Sequence, residues 1–159
     1  MLFRSIYKVA GAETLNEAYH SHIGFARIML DYVLFRRGPL TMAPSQLGLF
    51  TRSDPRRERA NIQYHIQPLS LDRFGEPLHT FPAFTASVAN VHPTSRGHIR
   101  LKSRDPADKP AIQPNYLSTD DDRRVAADSL RVTRRIVAQP ALKPFQPDRK
   151  STRLNSSHT

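Results

Sequence analysis

The chain has no cysteine and no tryptophan. Without cysteine there is no disulfide framework, no thiolate ligand for a metal and no sulfur nucleophile. Glycine is scarce and dispersed: Gly11, Gly24, Gly38, Gly48, Gly75 and Gly97, none within two positions of another. A loop that cradles phosphate needs closely spaced glycines, so that backbone N–H groups approach the anion with no side chain in the way. Neither a G-x-G-x-x-G nor a Walker loop can therefore be read here. No apolar run is long enough to cross a bilayer. The opening MLFRSIYKVAG lacks the extended apolar stretch of a secretory leader and alternates instead, and a cytoplasmic location is expected. No period recurs, which excludes coiled coils, collagen and repeat arrays. His20, His22, His65, His79, His92 and His98 include no H-E-x-x-H pair, so no zinc site is expected. No G-x-S-x-G elbow marks a serine hydrolase.

What the chain has in plenty is positive charge and proline. Of its 159 residues, 24 are Lys or Arg and 14 are Asp or Glu, a formal net charge of +10, and 13 are proline. The length suits one domain or part of a larger one. One basic cluster is Arg52, Arg56, Arg57 and Arg59. A second, Arg123, Arg124, Arg131, Arg134 and Arg135, is interleaved with Asp120, Asp121, Asp122 and Asp128. Both read as solvated faces. The alternative is a small basic nucleic-acid-binding module. That function calls for aromatics along a basic stripe, whereas here they sit at positions with a buried pattern.

Leu2 to Val9 alternates with a period of two and is expected to be a strand. Thr14-Leu15-Asn16-Glu17 is a capping box. It opens a helix whose apolar stripe is Leu15, Tyr19, Ile23, Ala26, Leu30 and Val33, weakened or broken near its middle by Gly24. Arg36-Arg37-Gly38-Pro39 stops it. Further strands are expected at residues 47–51, 61–67, 84–91 and 98–103. Residues 68–82 read as a long irregular excursion and 105–114 as a Pro-rich connection. Ser118 or Thr119 caps a second helix, with Asp120, Asp121 and Asp122 at its positive end. Val125, Ala126, Ser129, Leu130, Val132, Thr133, Ile136 and Val137 form its buried stripe, and Pro140 ends it. Strands that follow one another without strict βαβ alternation imply an α+β fold, with a largely antiparallel sheet backed by two long helices.

The end of the chain reads differently. DRKSTRLNSSHT has no apolar period and no packing face. Asp148 to His158 is the in-frame translation of a common short-read sequencing adapter, and a match over 11 consecutive residues is no accident. Residues 148–159 are therefore expected to be a non-native, disordered tail left by library preparation. On that expectation the chain is a fragment.

Several stretches together resemble the glucose–methanol–choline (GMC) family of flavin-dependent alcohol oxidoreductases, most closely its choline-dehydrogenase-like branch. They are Arg37-Gly38-Pro39-Leu40-Thr41, Gln46-Leu47-Gly48, Asn61-Ile62-Gln63-Tyr64-His65, the run Pro93 to Ser103 (PTSRGHIRLKS) with Asp105-Pro106, Ile112-Gln113-Pro114-Asn115-Tyr116-Leu117, and Ile136-Val137-Ala138-Gln139-Pro140. The resemblance implies that residues 1–147 are a partial substrate-binding domain, part of a mostly antiparallel sheet that roofs the flavin. It implies an FAD-dependent parent enzyme that oxidises a primary alcohol to an aldehyde by hydride transfer to flavin. The FAD motif and the catalytic His segment of the family are absent from this chain, and His92-Pro93 falls on a sheet turn instead. No catalytic, cofactor-binding or metal residue is accordingly expected, and the fragment should be inactive. Three residues are expected at the substrate wall. Gln46 stands where choline-oxidising relatives carry a Glu facing the cationic head group, which disfavours choline itself. His65 lies on the polar side of its strand, and Ala89 on the strand before the P-T-S-R-G turn. The implied partners are a small-molecule alcohol and the missing FAD-binding part of the same polypeptide, with no nucleic acid.

Overall fold

The computed structural model describes residues 2–73 and 75–155. Five strands form one sheet: β1 (Leu2–Lys8), β2 (Leu47–Thr51), β3 (Ile62–Gln67), β4 (Ala83–Asn90) and β7 (Asp148–Asn155). Their order is β2-β3-β4-β1-β7, and every neighbouring pair is antiparallel. A separate two-stranded ribbon joins β5 (His98–Arg100) to β6 (Ala111–Gln113). The fold is α+β, as the succession of strands implies.

Register decides which residues share a face. Tyr64 lies opposite Val88, and Val88 opposite Phe3. Because cross-strand partners point the same way, Ile62 and Tyr64, Ala86 and Val88, and Phe3 and Tyr7 line one side. Helix α3 (Asp120–Val137) packs on that side. Ile62, Tyr64 and Val88 meet Val125 and Val132, while Tyr7 and Ala86 meet Val137. Most of the stripe expected for this helix is thus buried. The Tyr64 hydroxyl donates to the Ser129 carbonyl (3.1 Å) or shares a hydrogen with Thr133 Oγ1 (2.9 Å), so the core's largest polar atom is satisfied. Thr119 caps the helix by accepting from the Asp122 N–H.

The first helix departs from expectation. It is two helices, α1 (Leu15–His20) and α2 (His22–Phe35). The break is at Ser21, three residues before Gly24. Ser21 is extended, ends α1, and caps α2 by accepting from the Gly24 N–H at 3.1 Å. Gly24 still matters at this corner: a Cβ there would lie 2.8 Å from the Ala18 carbonyl oxygen. The apolar stripe read on this helix is largely bare, with Ile23 84% exposed.

Two further expectations are corrected. The Pro-rich connection contains the short strand β6, which pairs with a β5 shorter than expected. Residues 148–155 are not irregular: they form the edge strand β7, antiparallel to β1. The reason is that β1 otherwise presents an open row of backbone N–H and C=O groups, which any extended segment can pair with whatever its side chains. Residues 156–159 of the expected tail lie outside the described residues.

Candidate functional site

The side of the sheet away from α3 carries Gln63, His65 and Gln67 on β3, Thr85, Ser87 and Ala89 on β4, Arg4 and the buried Ile6 on β1, and Phe50 on β2. His65 is directly opposite Gly48 on one side and Ser87 on the other. Gln63 is opposite Ala89. Gln46 immediately precedes β2, and its N–H donates to the Ile66 carbonyl at 3.1 Å. That bond ties Gln46 to the end of β3 one residue out of the β2–β3 register, which pairs Ile66 with Leu47. Of the three residues expected at a substrate wall, His65 and Ala89 therefore lie on the same face, while Gln46 sits just outside β2, where the ladder does not fix its side. Gln46 is exposed, and His65 and Ala89 are half-buried. Gln63 and Ser87 share the face and were not singled out by sequence. The β3 alternation was the signal for Gln63; only pairing with β4 reveals Ser87.

Part of this face is covered by the excursion at residues 68–82, and a buried knot holds it there. Asn16, fully buried on α1, donates from Nδ2 to Ser70 Oγ (2.8 Å) and the Phe81 carbonyl (2.9 Å), and its Oδ1 accepts from the Ser70 N–H (2.9 Å). Thr85 Oγ1 donates to the Leu69 carbonyl at 2.7 Å, and Arg4 donates to the Asp72 carbonyl. On the other edge Gln67 Nε2 donates to Ser45 Oγ at 3.1 Å, which ties the segment bearing Gln46 to β3. His79 Nδ1 is 2.9 Å from Ser70 Oγ, and its Nε2 is 3.5 Å from Asp72. These are the residue types of a hydrolytic triad, but Ser70 is fully buried and its oxygen already accepts from Asn16. The group is a structural knot with no accessible nucleophile.

Beyond Ala89 the chain enters the P-T-S-R-G turn, which contains His92-Pro93, and α3 clamps it. The Asp122 carboxylate, 4% exposed, accepts from the N–H groups of Thr94 (2.9 Å) and Ser95 (3.0 Å). It also accepts from Thr94 Oγ1 (3.2 Å) and Asn90 Nδ2 (3.3 Å). Burial pushes this carboxyl up, but the hydrogen bonds from Ser95 and Thr94 outweigh it and hold the group below its ordinary range. The turn's glycine is required by contact: a Cβ on Gly97 would lie 2.2 Å from the Gln113 carbonyl oxygen.

Part of each basic cluster is engaged in ion pairs. Arg57 pairs with Asp121 (2.5 Å), Arg56 with Asp54 (2.6 Å), Arg123 with Asp120 (2.6 Å) and Arg131 with Asp128 (2.7 Å). Among the described residues no three His, Asp or Glu side chains are placed to hold a metal ion. The residues present do not fit a dinucleotide either. The glycines are dispersed, the sheet is antiparallel throughout, and the helix that follows β1 has six residues. No glycine-rich turn feeds a helix N-terminus where a pyrophosphate could sit.

Comparison with known proteins gives this geometry a context. Residues 93–159 match the family model described as GMC oxidoreductase. An oxygen-dependent choline dehydrogenase from Acinetobacter baumannii (strain AYE) is 41% identical over 103 residues, 65% of this chain and 19% of that protein. An alcohol dehydrogenase [acceptor] from Pseudomonas putida is 34% identical over 114 residues, 72% of this chain and 21% of that protein. The chain thus spans about a fifth of the length of these curated relatives. Among solved structures, a formate oxidase superposes on 95% of this chain and 30% of its own, with a TM-score of 0.77 at 15% identity. A pyridoxine 4-oxidase from Mesorbium loti covers 98% of this chain and 26% of its own, with a TM-score of 0.65 at 19% identity.

Proposed function

We propose that this chain, a relative of the GMC oxidoreductases, is part of the substrate domain of an FAD-dependent enzyme that oxidises a primary alcohol to an aldehyde. The observation that supports the reading is that His65 and Ala89 share the sheet face away from α3, with Gln46 at the sheet edge where β2 begins. Such a face, polar and half-open, suits a wall that binds and orients a small alcohol once the rest of the polypeptide closes over it. The chain's own residues do not fit FAD, so the flavin and the proton acceptor belong to the remainder of the parent. Arg56, Arg57, Arg123 and Arg131 are held in ion pairs, which interrupts both basic clusters and favours this reading over a nucleic-acid-binding module.

Gln46 sets the expected specificity. A neutral amide offers a quaternary ammonium no charge attraction, so the parent should prefer an uncharged alcohol. In the parent enzyme Gln46→Glu should lower KM for choline about tenfold, the effect of one partly screened charge pair. An unchanged ratio of choline to neutral-alcohol kcat/KM would remove Gln46 from the wall.

Two measurements test the reading as a whole. Genomic DNA across residue 147 should continue in frame into the family's His-containing segment; a genome that encodes Asp148 to Thr159 would overturn the tail assignment. The purified 159-residue chain should carry no flavin and reduce no electron acceptor when given primary alcohols. Stoichiometric flavin, bleached anaerobically by an alcohol, would overturn the fragment assignment.

A further inference from the structure

Gly48 lies inside β2, and neither its backbone nor its surroundings among the described residues call for a glycine. Its φ is outside the left-handed range, and a Cβ there would have one neighbour within 4 Å, the Tyr64 carbonyl oxygen at 3.9 Å, an ordinary contact. A glycine inside a strand weakens it, and one that neither conformation nor packing requires marks a place that another group approaches closely. Register says which place. Gly48 is opposite His65, and His65 is opposite Ser87, on the side away from α3. Phe50, two residues further along β2, shares that side and is 62% exposed. The missing side chain therefore leaves a recess beside the His65 imidazole. Phe50 bounds it at one end, and the hydrogen bond from Gln67 to Ser45 bounds it at the other. Behind it Ser87 is buried, and Arg4, opposite Ser87 on β1, donates to the Asp72 carbonyl of the covering excursion.

We propose that Gly48 is a specificity-determining position, whose recess takes the hydrocarbon body of the alcohol. The inference rests on the flavoenzyme reading and deepens it. The side chains around the recess, Phe50, His65, Gln67, Ser45 and Ser87, are one apolar ring and a set of hydrogen-bonding groups without fixed charge. The cation on the same row, Arg4, is buried beneath the excursion. Such a lining suits an uncharged body that lies against the Phe50 ring, with a polar group of the substrate turned to the His65 imidazole. A side chain at position 48 would occupy the space that body needs.

Stability and kinetics test it separately. In the purified 159-residue chain Gly48→Val meets open space and a strand backbone that favours a branched residue. Its thermal unfolding midpoint should rise by about 1–4 °C. A lowered midpoint would show that the space is not there and overturn the proposal. In the full-length parent the same substitution should raise KM for benzyl alcohol roughly tenfold and leave KM and kcat for ethanol within about twofold. Gly48→Ala fills less of the recess and should have a smaller effect in the same direction. If the parent oxidises both alcohols and neither substitution moves the benzyl alcohol KM, the recess is refuted while the flavoenzyme reading stands. A KM raised equally for both alcohols would give Gly48 a general structural role and overturn the proposal, as would a wild-type enzyme that oxidises ethanol but not benzyl alcohol. A parent that oxidises no primary alcohol would overturn the flavoenzyme reading, and the recess with it.

Discussion

Asp122 joins two segments that are nearly thirty residues apart in the chain. As one of three aspartates in the first turn of α3, its sequence position suggests only a favourable charge at the positive end of a helix. In the structure it is buried and accepts four hydrogen bonds, three of them from Thr94 and Ser95. Asp122→Asn turns an acceptor-only group into one that presents N–H to at least one donor. It should cost on the order of 2–3 kcal/mol in urea unfolding at neutral pH. Acid dependence gives a second check. Because the folded carboxyl titrates below its ordinary value, its stabilisation is complete above about pH 4, the unfolded value, and is lost as pH falls through the folded one. The wild-type chain should therefore lose stability more steeply than the Asn variant below about pH 4. His65 and Gln46 illustrate the same scale differently. Each is readable as a polar residue at a strand or turn, but the cross-strand neighbours of His65 are Ser87 and Gly48, and the backbone partner of Gln46 is Ile66.

Helix signals were the most legible at the level of elements. Glu17 does reach back to the Thr14 N–H, at 3.1 Å, and Thr119 does cap α3. The first helix reads as continuous in sequence because its apolar period runs on past Ser21, where the structure breaks it in two. Periodicity cannot report that a serine side chain competes for the N–H of Gly24 and starts a new helix. α2 has no burial to support it within one chain, and 14 residues is marginal for a helix in water. Its cap should then count for more than usual. Ser21→Ala should weaken α2 by about 1 kcal/mol. Far-UV circular dichroism should fall while the main unfolding midpoint, set by the sheet and α3, stays in place. A shift in that midpoint would mean that α2 is coupled to the core.

For the molecule as a whole, β7 poses the sharpest question. It joins the sheet through backbone pairing with β1, while β1 is also paired along its full length with β4. Truncation after Pro147 should therefore leave a cooperatively folded domain. Hydrogen exchange should change mainly at the β1 amides that face β7, which lose their partners, and remain slow at those that face β4. Loss of cooperative unfolding would make residues 148–155 an essential part of the sheet. The amino-acid sequence by itself determined the features that depend on near neighbours: which segments alternate, where helices are capped, and which face of α3 is apolar. Tertiary structure alone decided that the long helix bends at Ser21 and stands bare. It also decided that Asn16 and Asp122 hold distant loops, and that His65 and Ala89 share one face. Register between strands fixes that last arrangement. It is a relation between residues far apart in the chain, settled by the whole sheet packing on α3 and not by the pattern of any one segment.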